Sequence, residues 1–311
     1  MMLARVADSL YWLGRYAERA EHVARLAGVM LNAMLDQTDA ADEAARIALA
    51  AVGGRSAADF GEVLEAASTL SIDRDDPASV VSCLASAREN ARQVREQITT
   101  ESWEQLNLLY LRTTGADAEN AFSADAPEFL RRIIADLHQF KGAADATMSH
   151  GEGWRFMLAG VYVERAQLIA RLLSAGFGGE TGSDDHVALV NLLRMACALE
   201  PYLRAYTADI NARSILEFLM FDEEFPRSIR FATERVQEHV ARFSDGRERG
   251  RNDPLRLAGS LNARLAYADI DAVESGGADE LLAGVEAGCE AINTAIFETF
   301  VSYPLEERLP T

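Results

Sequence analysis

Leu10-Tyr-Trp-Leu-Gly14-Arg15-Tyr-Ala-Glu18-Arg19-Ala-Glu21-His22-Val-Ala-Arg25-Leu26 returns in the second half of the chain. Gly14–Leu26 aligns with Gly160–Leu172 at an offset of 146 residues. Eight of the thirteen positions are identical, and Val23 against Ile169 is conservative. A fixed-offset self-match this dense points to a repeated unit.

Both copies read as helix. Neither contains Pro, and Ala, Leu, Glu and Arg dominate, all good helix formers. At about 100° per residue, Leu13, Tyr16, Ala17, Ala20, Val23, Ala24 and Ala27 share one side of the first copy. Tyr11, Arg15, Glu18, His22 and Arg25 share the other. The first copy is thus expected to have an apolar back and a polar front. The matching front of the second copy is Met157, Val161, Glu164, Leu168 and Arg171, which suggests a helix buried on nearly all sides. Charges in such a helix need partners. Seven residues put the backbones of Glu164 and Arg171 about 10.5 Å apart, so each must look to another helix. The repeat predicts Glu164 against Arg15, Arg19 or Arg25, and Arg171 against Glu18 or Glu21.

A second match, Asp73–Val80 against Asp222–Ile229, falls at an offset of 149 residues. The expected organisation is two sequence-related halves, 1–149 and 150–311, packed as one compact unit about a pseudo-twofold axis. The 311 residues, 49% of them hydrophobic and 25% charged, suit a soluble globular protein. A net charge of −19 argues against nucleic acid and against an anionic membrane surface, since both need a basic face. No apolar run reaches the ~18 residues that span a bilayer, and Arg5, Asp8, Arg15 and Glu18 interrupt any signal-peptide core. Cys83, Cys197 and Cys289 are far apart and form no zinc or disulfide spacing. A cytoplasmic location is expected. Lys141 is the sole lysine, so no phosphate-binding Gly-x-x-x-x-Gly-Lys loop exists. No cofactor is expected.

The rest of the chain also reads as helix. Predicted segments are 5–35, 41–52, 56–70, 78–98, 100–112, 127–148, 187–208, 212–221, 226–243, 254–267 and 278–303. Ser56 is a candidate N-cap. Asp36–Asp39 and Gly115–Ala126 read as loops, and His150–Gly153 as a break. Pro77 and Pro226 are placed at the first helical position, and Pro201 marks a kink. Gly176-Phe-Gly178 follows a helix and so fails as a dinucleotide fingerprint. Strand alternation is absent, and the fold class is all-α, a helical bundle.

Candidate chemistry gathers in three clusters. The first is the pair of Glu-Arg helices. Glu21 to Arg25 has the order that merely supports a helix. Alternatively Tyr11, Arg15, Arg19, Glu21, Arg25, Arg165 and Arg171 line a cleft that holds a carboxylate or phosphate. Glu18 and Glu164 would then orient the arginines or serve as acid/base. A metal at Glu18, Glu21 and His22 fails by symmetry, because Gln167 and Leu168 occupy the matching positions. The second cluster is Arg88, Arg92 and Arg95 with Trp103, Glu104 and Asn107, read either as a solvated basic stripe or as a ligand platform. The third is Arg227 and Arg230, placed in the first turn of a helix. They form an anion site with its free amides, or salt bridges to Asp222–Glu224. His138, His186 and His239 read as structural.

The opening Arg5–Glu21, with Ala87–Arg92, Trp103-Glu104-x-x-Asn107, Gly153-Trp-Arg-Phe156 and Pro226-Arg-Ser228 in that order, resembles the bacterial alpha-E family. The resemblance covers nearly the whole chain. Val161 departs from it, standing where the family repeats the arginine seen at Arg15. Family members are encoded beside, or fused to, circularly permuted ATP-grasp amidoligases. Transglutaminase-like and peptidase-like proteins accompany them. The resemblance therefore implies an accessory or peptide-binding protein that works with such a ligase on a peptide or amino-acid ligand. The alternative it leaves is a stand-alone enzyme acting on a peptide or amide through Glu18 or Glu164.

Overall fold

The computed structural model describes residues 2–36, 38–53, 59–178, 185–206, 209–244, 253–268 and 277–302. Among these, fourteen α-helices and no strand are found. They are α1 (Ala4–Asp36), α2 (Thr38–Ala51), α3 (Val63–Ile72), α4 (Val80–Gln93), α5 (Thr100–Thr114), α6 (Ala118–Ala124) and α7 (Ala126–Thr147). Then follow α8 (Glu152–Phe177), α9 (His186–Met195), α10 (Leu199–Ala205), α11 (Ala212–Phe221), α12 (Ile229–Phe243), α13 (Pro254–Ala266) and α14 (Ala278–Ile296). A π-helical turn, Phe297–Val301, ends the described chain.

The two Glu-Arg helices, α1 and α8, form the centre. They pack on each other, with α4 and α7 against α1, α12 and α14 against α8. The sequence permits this crossing through two glycines. A Cβ on Gly14 would stand 2.0 Å from the Met157 carbonyl oxygen, and one on Gly160 would stand 2.1 Å from that of Tyr11. Backbone meets backbone at both points, a contact only glycine allows.

Burial corrects the two-faced reading of α1. Its polar front is also largely buried: Tyr11, Arg15, Glu18 and His22 are each no more than 4% exposed, and Arg25 keeps 15% of its side chain exposed. A helical wheel separates polar from apolar faces but cannot tell water from a buried polar partner.

Several boundaries also differ from expectation. The segment predicted over 78–98 ends at Gln93, and a 3₁₀ turn, Arg95–Gln97, follows. Pro77 and Pro226 precede their helices; the N-caps are Ser79 and Ser228. Each serine hydroxyl donates back to the carbonyl of Asp73 or Asp222 and accepts the amide of the third residue on. That local closure outcompetes the proline start. The expected Gly115–Ala126 loop holds α6, and α2 starts at Thr38, inside the loop expected over Asp36–Asp39. The 187–208 segment breaks at Cys197, whose φ of 56° is left-handed, ahead of Pro201. Ser56 lies outside the described residues.

Candidate functional site

Three glutamates and six basic side chains converge where α1 and α8 cross. Glu18 accepts from Arg165 Nε at 2.7 Å and Nη2 at 3.0 Å, and from Lys141 Nζ at 2.5 Å. Arg227 approaches it at 3.6 Å. Glu164 accepts from Arg15 Nε at 2.6 Å and Arg19 Nε at 2.5 Å. Glu21 accepts from Lys141 at 2.6 Å, Arg25 at 2.9 Å and Arg227, and His138 Nε2 lies 3.1 Å away. The outer nitrogens are used too: Arg15 donates to Asn293 and Gln167, and Arg165 to the Pro226 carbonyl.

The crossed pairs expected of Glu164 are therefore present, and Glu18 with Arg165 forms their counterpart. Arg171 departs from expectation. It pairs with Glu286 at 2.9 Å on α14, a helix that packs on α8, while Lys141 and Arg227 surround Glu21. Both came from elements whose sequence gave little warning. Arg227 lies just before the Ser228 cap, outside the first helical turn where it was expected. Lys141 and Asn293 went unnoticed as site residues, and His138 was read as structural; the one signal was that Lys141 is the only lysine among thirty basic residues.

Electrostatics follow from the packing. Burial pushes all three carboxyls up, but the surrounding cations outweigh it and hold Glu18, Glu21 and Glu164 below the usual carboxylate range. Glu18 and Glu164 are at most 1% exposed with both oxygens engaged. Neither is placed to exchange a proton with a substrate. Among the described residues no group of three His, Cys, Asp or Glu side chains is arranged to hold a metal ion.

The histidines give a pH signature. Burial, aided by Arg227, lowers His22 to about 3, and its Nε2 has no hydrogen-bond partner. Burial also lowers His239 to about 4, between Trp154 and Tyr162. Below the ordinary value of 6.5 the unfolded chain binds protons that these folded imidazoles refuse, so stability falls as pH falls. From pH 6.5 to 5.5 each histidine should cost about 1 kcal/mol. The glutamates, held low, stay ionised and add no slope there. Urea titrations of wild type and His22→Leu should show the variant losing His22's share; parallel profiles would refute the assignment.

The second cluster is brought together only in part. Arg88 donates to Asn107 at 2.8 Å and stacks over Trp103 and Tyr110, while Arg95 lies 5.2 Å from the Trp103 ring. Arg92 turns away to Glu89, and Glu104 is exposed. Arg230 pairs with Glu223 at 2.7 Å and Glu234 at 3.3 Å, the plainer of its two expected roles. The unpartnered Tyr11 hydroxyl lies beside a hollow of about 70 Å³.

Two further hollows lie along the seam between α1 and α7. One, about 190 Å³, is lined by Gly14, Ala17, Phe140, Lys141, Ala144 and residues of α8. The other, about 720 Å³, is lined by Arg25, Gly28, Asn32, Arg131, Ile134 and residues around Cys197. His138 and Glu21 stand between them in sequence register on the two helices, and Lys141, on the wall of the smaller hollow, bonds Glu21.

Residues 2–301 match the Alpha-E family, described as a predicted alpha-helical domain with a conserved ER motif. The chain belongs to the Alpha-E family. The Glu18-Arg19 and Glu164-Arg165 pairs are Glu-Arg dipeptides at the crossing. Each Glu18 and Glu164 carboxylate reaches the arginine of the other dipeptide. Among curated proteins, this Alpha-E chain is similar to uncharacterised proteins of Mycobacterium bovis and of two strains of Mycobacterium tuberculosis. Each is 26% identical over 339 aligned positions, covering 96% of this chain and 37% of the relative. The chain thus spans little more than a third of those relatives' length. No solved structure matches it.

Proposed function

We propose that this Alpha-E protein is an accessory, peptide-binding module that works with an ATP-grasp amidoligase in making or processing a peptide or amide, in the cytoplasm. The observation that carries the binding half is the α1/α7 seam. Lys141 on the wall of one hollow, Arg25 on the wall of the other and His138 between them keep partial exposure. Gly14 to Asn32 along α1 spans about 27 Å, the length of an extended peptide of about eight residues. The ligase half rests on family membership. The larger size of the mycobacterial relatives, 37% of which this chain matches, leaves room for a partner on the same polypeptide. The free cysteines Cys83, Cys197 and Cys289 suit a reducing compartment. The stand-alone enzyme reading has weaker support, because its candidate acids, Glu18 and Glu164, are sealed between cations.

We also infer that residues 1–149 and 150–311 are duplicated halves of one compact unit, related by a pseudo-twofold axis. Support comes from three correspondences: Glu18–Arg165 with Glu164–Arg19, Gly14 on Met157 with Gly160 on Tyr11, and the Ser79 cap with the Ser228 cap.

Reconstitution tests the functional reading. An ATP-grasp amidoligase from the same organism is incubated with ATP and amino acids, with and without this protein, and the products are weighed. A changed turnover or product length, or a stable complex on gel filtration, is expected. Identical products together with no complex would defeat it.

A further inference from the structure

The two sides of the α1/α8 crossing are built alike but filled differently. On one side the Arg15 side chain occupies the space between α1, α8 and α14. It bonds Glu164, Gln167 and Asn293 and lies over the Trp12 ring at 4.9 Å. On the other side the residue 146 positions later is Val161, too short to fill the matching space, and Leu158 stands where Trp12 does. There, between α1, α8 and α7, lies the hollow of about 190 Å³.

Its walls are mostly apolar: Met157, Leu158, Val161, Phe140 and Ala144, with Trp154 beside them. A dry apolar cavity of roughly 150 Å³ accepts a benzene-sized guest, so this one takes one aliphatic or aromatic side chain. One polar group on its wall is distinctive. An ammonium has three N–H donors, and Lys141 spends two, on Glu18 and Glu21. The third remains for a guest. The charge around it favours an anion: Glu18 and Glu21 face Lys141, Arg165, Arg227 and Arg25, all within ion-pair distance. Asp145, one helical turn beyond Lys141, lines the same hollow and is largely exposed.

We propose that this hollow binds the carboxylate-terminated end of an apolar residue, with its side chain between α7 and α8 and its carboxylate on Lys141 Nζ. The guest is either a free apolar α-amino acid, whose ammonium would face Asp145, or the C-terminal residue of a peptide. This rests on the peptide-binding reading and names its anchoring subsite; it requires no ligase.

Binding to the full-length protein is measured by calorimetry with L-leucine, N-acetyl-L-leucine, glycyl-L-leucine and L-leucinamide. Losing a charge-assisted hydrogen bond costs about tenfold or more in affinity. L-leucinamide should therefore bind at least about tenfold more weakly than its acid counterparts. If L-leucine binds best, the guest is the free amino acid; if the acylated compounds bind as well or better, it is a peptide terminus. Ala144→Leu fills the hollow from within and should keep the wild-type melting temperature while abolishing binding. Lys141→Gln should weaken the acids and leave L-leucinamide unchanged. The proposal is overturned if none of the acids binds at millimolar concentration, or if a folded Ala144→Leu variant binds them like wild type. It is equally overturned if amide and acid bind alike. A ligase effect that persists while all four compounds fail would sink this subsite and leave the accessory role standing.

Discussion

Glu164→Ala should lose about 3–5 kcal/mol of stability, the cost of removing one partner from a buried ion pair. Glu164 is 1% exposed and holds both Arg15 and Arg19. Without it Arg15, itself 4% exposed, keeps only the neutral oxygens of Asn293 and Gln167. A cation left there without a counter-charge is far costlier than a lost surface pair. Set against a total stability of about 5–15 kcal/mol, this loss removes between about a fifth and all of the folding margin. Arg171→Ala is the matched control. Its pair with Glu286 is about one-third exposed on both sides, so it should cost no more than about 1 kcal/mol. Urea midpoints of both variants decide the matter, and equal losses would show that the central pair is no stronger than a surface one.

The second large effect is steric. Replacing Gly14 or Gly160 by alanine ordinarily favours a helix by about 1 kcal/mol. Here the added methyl would meet a carbonyl oxygen at 2.0 or 2.1 Å, with backbone nitrogens at 3.1 and 3.3 Å behind it. Backbone cannot rotate away as a side chain can, so α1 and α8 must separate. Separation stretches every ion pair across the crossing. Each alanine should cost about 1–3 kcal/mol, and the double variant more than the sum of simple propensity changes. Gly142→Ala on α7 is the contrast, because nothing lies within 4 Å of its Cβ position. That change should stabilise by about 0.4–1 kcal/mol. Thermal melts of the three variants test this, and a stabilised Gly14→Ala would mean that the helices do not touch there.

How much of this was legible in the sequence depended on the kind of information each feature carried. Helix type, the dense repeat and the need of Glu164 for a partner in the first half are all local or self-referential, and they were readable. The repeat narrowed that partner to Arg15, Arg19 or Arg25, and the first two hold Glu164. The partners of Glu18 and Glu21 were not readable, because Lys141 and Arg227 come from α7 and from the turn before α12. Nothing in a helical wheel brings those elements to α1. The same blindness hid that most of the polar front of α1 is buried. Arg171 shows the reverse error. Pattern symmetry predicted a central partner, but α14 packs on α8 and brings Glu286 to Arg171. At Ser79 and Ser228 the Pro signal was read too literally, since the serine closes back on an upstream carbonyl and resets the helix start.

These features make the Glu-Arg motif a lock between the two central helices, with the proposed ligand-binding surface beside it and not in it. A double-mutant cycle on Glu18 and Arg165 tests that claim most directly. Arg165 reaches Glu18 through two nitrogens, at 2.7 and 3.0 Å, across the α1/α8 crossing. Glu18→Gln, Arg165→Met and the double variant are each unfolded in urea, and the coupling energy is extracted. A lock predicts a coupling above about 1 kcal/mol, in the upper part of the range for contacting residues. It also predicts that each single variant is less stable than its partial repair in the double. Additivity within about 0.3–0.5 kcal/mol would contradict it and return the Glu-Arg motif to the list of residues free to act on a ligand.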